Sequence, residues 1–213
     1  MRLPEPTIRT SPQLYAPLRW PTERSEPLPP APPLSECGER RSIRKFSRPS
    51  IAAISALLWH TARRQESLAS PPGFDLQLRP IPSAGAIHPI HLLLEHPESG
   101  NWTRYDPRMH ALDHLPELGA LRTLRDAAGD YVNPGPGVLV LFAAEPGLTT
   151  AKYGDAASLV WRDAGVLQGA IALLAPSTGL GACLLGLTGH NCLNGLGEEG
   201  QLVGVGTAIL GAA

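Results

Sequence analysis

The chain has 213 residues, 43% of them hydrophobic, which is enough for one sizeable core and too little for two ordinary domains. A formal net charge of -1 at pH 7 excludes the domain-wide basic excess of a nucleic-acid or anionic-membrane binder. Cys37, Cys183 and Cys192 are odd in number and show no CxxC spacing, so neither a disulfide framework nor a zinc site is favoured. With no secretory apolar region at the start and no uncharged apolar run of about 18 residues, a cytoplasmic protein is expected.

Residues 1–35 are crowded with prolines, among them Pro27, Pro29, Pro30, Pro32 and Pro33, so neither a helix nor a central strand can persist there. The expectation is an extended arm, either a disordered tail or one that packs on the domain or a partner subunit through Leu14, Tyr15, Leu18 and Trp20. Residues 36–213 form the expected domain. From Pro49, Ile51, Ile54, Leu57 and Leu58 recur at helical spacing and predict a helix over 49–64, with Ser47 or Arg48 near the cap and Pro49 in the first turn.

A short strand is expected at "FDLQLRPI", then a glycine-containing turn "PSAGAIHPI", then a buried strand "HLLLEH". The stretch "NWTRYDPRMHALDHL" reads as a hairpin, Pro116 to Ala128 as a helix, and "GVLVLFAAE" as an apolar strand. The second long helix runs through "DAASLVWRDAGVLQGAIALLAPSTG", with Val160, Ala164, Leu167, Ile171 and Leu174 as its apolar stripe. Pro176 ends or kinks it, and Gly179 is a plausible stop. "GACLLGL" and "QLVGVGTAIL" read as strands. Interspersed helices and strands point to an α/β or α+β domain, and no repeat of a supersecondary unit is visible.

Three stretches carry candidate chemistry. In "RRSIRKF", Arg40, Arg41, Arg44 and Lys45, followed by Arg48, lie in a stretch that has no carboxylate between Arg40 and Gln65. Either the segment is a solvated basic loop, or its planar guanidinium forks and the Ser42 hydroxyl cradle a phosphate. In "IPSAGAIHPI", the small residues Ser83, Ala84 and Gly85 either make a plain turn or let backbone N–H groups approach a ligand. In "TAKYGDAA", Lys152 beside Tyr153 sets an ammonium next to a phenol, a possible proton-transfer pair but a common dipeptide. His88 and His91 lie on a turn and strand with no carboxylate near in sequence, so metal binding is not expected. His190 and Cys192 read as a surface loop, Trp59 and Trp161 as core, and Phe46 as a core anchor.

Taken in order, "RRSIRKF", "PSAGAIHPI", "RYDPRMHALDHL", "KYGD", "RDAGVLQGAIALL", "GLGACLLG" and "GVGTAIL" resemble the nitroreductase-like flavoprotein superfamily. The likeness runs from about Leu28 to Leu210 and is greatest to azoline dehydrogenases of the streptolysin and microcin type, the SagB-type dehydrogenases. General nitroreductases carry Pro-Ser-Ser-x-Asn-x-Gln-Pro at the turn; here Ala86 and His88 replace the amides, and the Pro-Ser-Ala-Gly form is that of the subgroup.

The resemblance implies an α+β fold with an antiparallel-rich mixed sheet flanked by helices, and a homodimer with FMN at its interface. Arg40, Arg41, Ser42 and Arg44 match the segment that holds the FMN phosphate and ribityl chain. Ser83, Ala84 and Gly85 match the turn lying along the flavin from the other subunit, and Leu185 and Gly186 the stretch facing the flavin ring near N5. Lys152 and Tyr153 match the catalytic pair of the azole-forming branch. Many relatives end with a further basic residue near the phosphate, whereas this sequence stops at "TAILGAA", so neutralisation is expected to rest on the arginine cluster.

The implied activity is FMN-dependent oxidation of a thiazoline or oxazoline in a ribosomally made peptide, with a cyclodehydratase complex as possible partner. An NAD(P)H-dependent nitro or quinone reductase, or a flavin-binding scaffold subunit, are the alternatives.

Overall fold

A computed structural model describes residues 7–8, 11, 14–19, 25–29, 40–71, 73–198 and 200–212. The proline-rich opening supplies two short strands, β1 (Thr7–Ile8) and β2 (Ser25–Pro27). β2 lies at a sheet edge, where a proline without an N–H is tolerated. Of the expected anchors, Leu18 is buried, Tyr15 is half-buried and Leu14 stays 85% exposed. Trp20 and Cys37 lie outside the described residues.

Helix α1 (Ile51–Ala62) is capped by Ser50, whose Oγ accepts the Ala53 N–H at 3.1 Å. The cap falls later than expected because Ser47 is committed to a backbone bridge with Ala212. A separate hairpin of β3 (Glu66–Leu68) and β4 (Leu76–Leu78) follows; only its second strand was expected, and as a longer one. Then come the meander β5 (Ile90–Glu95), β6 (Trp102–Asp106) and β7 (Ala111–His114), helix α2 (Gly119–Gly129), and β8 (Val138–Ala144). The short helix α3 (Pro146–Thr150) and the strand β9 (Tyr153–Gly154) were not foreseen. Helix α4 (Ala157–Leu174), β10 (Leu180–Leu185) and β11 (Val203–Ala212) complete the chain.

The main sheet has seven strands in the order β10-β11-β8-β5-β6-β7-β2. Each of its ladders is antiparallel. Its parallel component among the described residues is the isolated bridge between Ser42 and Ala182. The centre explains the uninterrupted apolar run of β8. Val138, Val140, Phe142 and Ala144 face the core under α1 and α4, while Leu139, Leu141 and Ala143 face the core under α2. Burial on both faces removes the usual polar alternation, and each large side chain such as Phe142 contributes about 1.5–3 kcal/mol.

Val160, Ala164 and Ile171 of α4 are buried against this sheet, with Leu167 and Leu174 packed beside them. The helix ends before Pro176, and Gly179 adopts a left-handed φ of 75°. Trp161, expected in the core, is instead 48% exposed, because the inward face of α4 is taken by the Val160–Ala164 stripe. Trp59 packs edge-on against His110 at 4.9 Å between ring centroids, with the Arg63 guanidinium 4.6 Å above its ring.

Candidate functional site

The basic segment lies along the edge of the main sheet. Ser42 bridges Ala182 of β10, and the Ile43 N–H donates to the Ala182 carbonyl at 3.2 Å. Two glycines allow so close an approach: a Cβ on Gly181 would stand 2.5 Å from Ile43, and one on Gly211 would stand 2.7 Å from Phe46. Ile43 and Phe46 thus pin the segment, with Phe46 buried, while Arg40, Arg41, Ser42, Arg44 and Lys45 project into solvent. Among the described residues no carboxylate pairs with these cations. Leu185 closes the strand this segment borders, and Gly186 follows it with open space where a side chain would be.

A second group forms at the Ser83–His88 turn. Gly85, Ala86 and His88 have φ of 62°, 57° and 52°. The left-handed region costs about 1–2 kcal/mol for a residue with a Cβ, and such strain clusters at functional sites. Two contacts hold the turn. The Ala84 N–H donates to both oxygens of Asp163 at 3.0 and 3.2 Å, and the Ser83 Oγ accepts the His88 N–H at 2.8 Å. Asp163, on α4, is buried, and burial raises its pKa.

Tyr153, which opens β9, and Lys152 just before it come down on this turn. A Cβ on Gly85 would meet the Tyr153 Oη at 2.6 Å and the Lys152 Nζ at 2.9 Å, so the pair converges on a position where any side chain would push both of them aside. The Lys152 Nζ is 5.6 Å from the centroid of the Tyr153 ring. The backbone of β9 is in turn paired with β1, Ile8 opposite Tyr153 and Thr7 opposite Gly154. The expected residues therefore fall into two assemblies, Arg40–Arg44 with Leu185 and Gly186, and Ser83–Gly85 with Lys152 and Tyr153. No hydrogen bond or ion pair among the described residues joins the two within one chain.

Of the four acids buried among the described residues, Glu95, Asp113, Glu145 and Asp163, none was assigned a site role from the sequence, and two bear on the site. Asp163 is a lone carboxylate inside an apolar helical stripe, and that anomaly is the signal that could have marked it. Glu145, at the end of the apolar β8 run, is 0% exposed. It accepts hydrogen bonds from the Tyr15 hydroxyl at 2.7 Å, the Leu18 N–H at 2.6 Å, His91 Nε2 at 2.9 Å and Gln201 at 3.5 Å. Burial pushes the Glu145 carboxyl up, but these donors outweigh it and hold the group below the usual carboxylate range. Burial lowers the His91 pKa, so its imidazole enters the pair as a neutral N–H donor. The fold thus brings Glu145, distant in sequence, to His91, yet no group of three or more His, Cys, Asp or Glu among the described residues is placed to hold a metal. His190 is exposed as expected, but Cys192 is buried in the core under α2.

Residues 38–191 match the model of the nitroreductase family. No curated protein matches the chain. Solved structures share the fold. A chain from Ralstonia eutropha JMP134, provisionally named a nitroreductase, superposes with a TM-score of 0.69 at 24% identity, over 98% of this chain and 97% of that one. A chain from Anabaena variabilis with the same provisional name gives 0.61 at 22% identity, over 75% of this chain and 34% of that one. A chain of the Escherichia coli microcin synthetase McbBCD complex, with truncated pro-MccB17 bound, gives 0.60 at 18% identity, over 83% and 70%.

Proposed function

Starting from a chain that belongs to the nitroreductase family, we propose an FMN-dependent dehydrogenase that oxidises a thiazoline or oxazoline ring in a ribosomally made peptide to the aromatic azole. The observation that carries this reading is the convergence of Lys152 Nζ and Tyr153 Oη on Gly85. The shared fold with a chain of a microcin synthetase complex supports the same direction.

The residues fit the cofactor. The exposed guanidinium forks of Arg40, Arg41 and Arg44, unpaired among the described residues, and the Ser42 hydroxyl suit a phosphate, and the open space at Gly186 after Leu185 on the same edge leaves room for a planar ring. Ser83–Gly85 would close over the ring from a second subunit. The exposed Trp161, Val166 and Leu173 on α4 and Leu184 on β10 support such a homodimer. A cyclodehydratase is the proposed partner enzyme, and a cytoplasmic setting is proposed with it.

Aromatisation removes two hydrogens, one as a proton from the carbon next to a carbonyl and one as a hydride. When bound, FMN supplies the hydride acceptor. Acting as the phenolate, Tyr153 Oη takes the proton and becomes the neutral phenol, while Lys152 Nζ holds the negative charge of the starting phenolate and of the enolate that develops on the substrate. Asp163 keeps the turn, and with it the floor beneath both side chains, in place. Dioxygen is the proposed final electron acceptor.

The test is aerobic incubation of the FMN-loaded protein with an azoline-bearing peptide, followed by mass spectrometry. Loss of two hydrogens per ring supports the reading; unchanged peptide together with rapid NADPH consumption in the presence of a nitroarene or quinone would replace it with a reductase. FMN binding with neither activity would leave a scaffold subunit.

A further inference from the structure

A cavity of about 280 Å³ opens between the stretch leading out of β4, the start of β5, the turn after β6 and the Pro17–Leu18 segment. The proposed dehydrogenation uses none of its lining, where three arginines, Arg79, Arg104 and Arg108, stand against three acids, Asp75, Asp106 and Glu145, without any of those acids within ion-pair distance of Arg79. Arg79 is the residue left over. Its Nε and Nη2 donate to the Gln77 Oε1 at 3.0 and 2.7 Å, which orients the guanidinium without neutralising it. No carboxylate among the described residues lies within ion-pair distance of Arg79, and its Nη1 has no hydrogen-bond partner there. Burial pulls its pKa down to about 10, with Arg104 and Arg64 adding to the fall and Tyr105 and Asp106 opposing it.

The acids that line the cavity are engaged elsewhere. Glu145 is held by Tyr15, Leu18 and His91. Asp106 Oδ1 accepts the backbone N–H groups of Arg108 and Met109 at 2.7 and 3.3 Å, and Asp75 accepts the Ser67 hydroxyl at 2.8 Å. Arg104 already has Asp113 at 3.0 Å. A guanidinium oriented by Gln77 in a partly enclosed cavity, with no direct ion-pair partner among the described residues, is an anion site. Asp75, Asp106 and Glu145 on the same walls set its selectivity, because they would repel a dianion more than a single charge.

We propose that this cavity binds a carboxylate through the Nη1 edge of Arg79, the carboxylate belonging either to a small free acid or to a peptide. The site goes beyond the proposed dehydrogenation and stands without it.

The experiment measures binding of N-acetylglycine and of N-acetylglycinamide to the full-length protein by ligand-observed NMR, with inorganic phosphate as the dianion. The acid should bind about tenfold or more tightly than the amide, as a charge-assisted hydrogen bond requires, and phosphate should not compete. Arg79→Met should remove the preference and Arg79→Lys retain part of it, in samples whose far-UV spectrum matches the parent. Equal binding of acid and amide, no binding of either, or tighter binding of phosphate overturns the proposal. That comparison needs no variant, so a poorly folding Arg79→Met does not shield it. Tighter binding of N-acetyltriglycine than of N-acetylglycine assigns the carboxylate to a peptide, and equal binding assigns it to a small acid; either supports the site.

Discussion

Gly85 and Tyr153 are in contact across the turn, the hydroxyl of one standing 2.6 Å from where a Cβ of the other would be. Gly85→Ala therefore meets two penalties, a left-handed φ of 62° and a clash with both Tyr153 and Lys152. The conformational part alone is about 1 kcal/mol. Because the clashing atoms are the far ends of flexible side chains, they should swing aside rather than unfold the chain. The expected result is a folded, FMN-binding protein with a dehydrogenation rate at least about tenfold lower, read from single-turnover kinetics. Wild-type kinetics would show that the pair does not act from this position.

Tyr153→Phe removes the proton acceptor and keeps the ring over Gly85. Bound FMN should be unchanged and the rate should fall by roughly 10²–10⁴-fold. Lys152→Met should show a similar loss with an altered pH profile, because the charge beside the phenol is gone. Flavin absorbance and turnover on the same samples separate a chemical defect from a binding one.

If the exposed arginines hold the phosphate, Arg41→Ala and Arg44→Ala should weaken FMN binding by about tenfold or more each while leaving riboflavin binding unaffected. The loss should shrink at high salt, where exposed charges are screened. Equal effects on FMN and riboflavin, measured by fluorescence titration, would move the phosphate elsewhere.

His88 and His91 are both held below the ordinary histidine value of 6.5 by burial, with His88 at about 3. Each therefore takes up its proton more readily in the unfolded chain. The stability this confers is complete above the ordinary value of 6.5 and is lost as pH falls, for His88 down to about 3. Glu145, also lowered, adds a loss of the same sign below its ordinary 4.5. The unfolding temperature should decline steadily from neutral pH into this acid range. His88→Asn, which tolerates a left-handed φ and does not titrate, should flatten part of the decline. A flat wild-type profile over that range would contradict the buried neutral state.

The elements legible in the sequence were those whose pattern is local. The α4 stripe, the Pro176 stop and the solid apolar run of β8 read directly, because periodicity and proline act over a few residues. What could not be read depends on pairing at a distance. β9 is two residues long and exists because β1 lies beside it, and Ser47 left the cap of α1 because Ala212 holds its backbone. Trp161 looked like core because a hydrophobic residue in an apolar helix gives no sign of which side the sheet will cover. In the site, Lys152, Tyr153 and Gly85 were singled out from order along the chain, and their convergence is a property of the fold. Glu145 and Arg79 went unmarked because a buried charge is visible only once its surroundings are, whereas Asp163 left a local sign, a carboxylate within an apolar helix, whose role only the fold reveals.

The most direct measurement is anaerobic mixing of the FMN-loaded protein with an azoline-bearing peptide, followed by the flavin absorbance. Bleaching by the peptide in the absence of any nicotinamide, much slowed in Tyr153→Phe, is the expected result. A flavin that stays oxidised with the peptide but bleaches with NADPH alone would contradict the account.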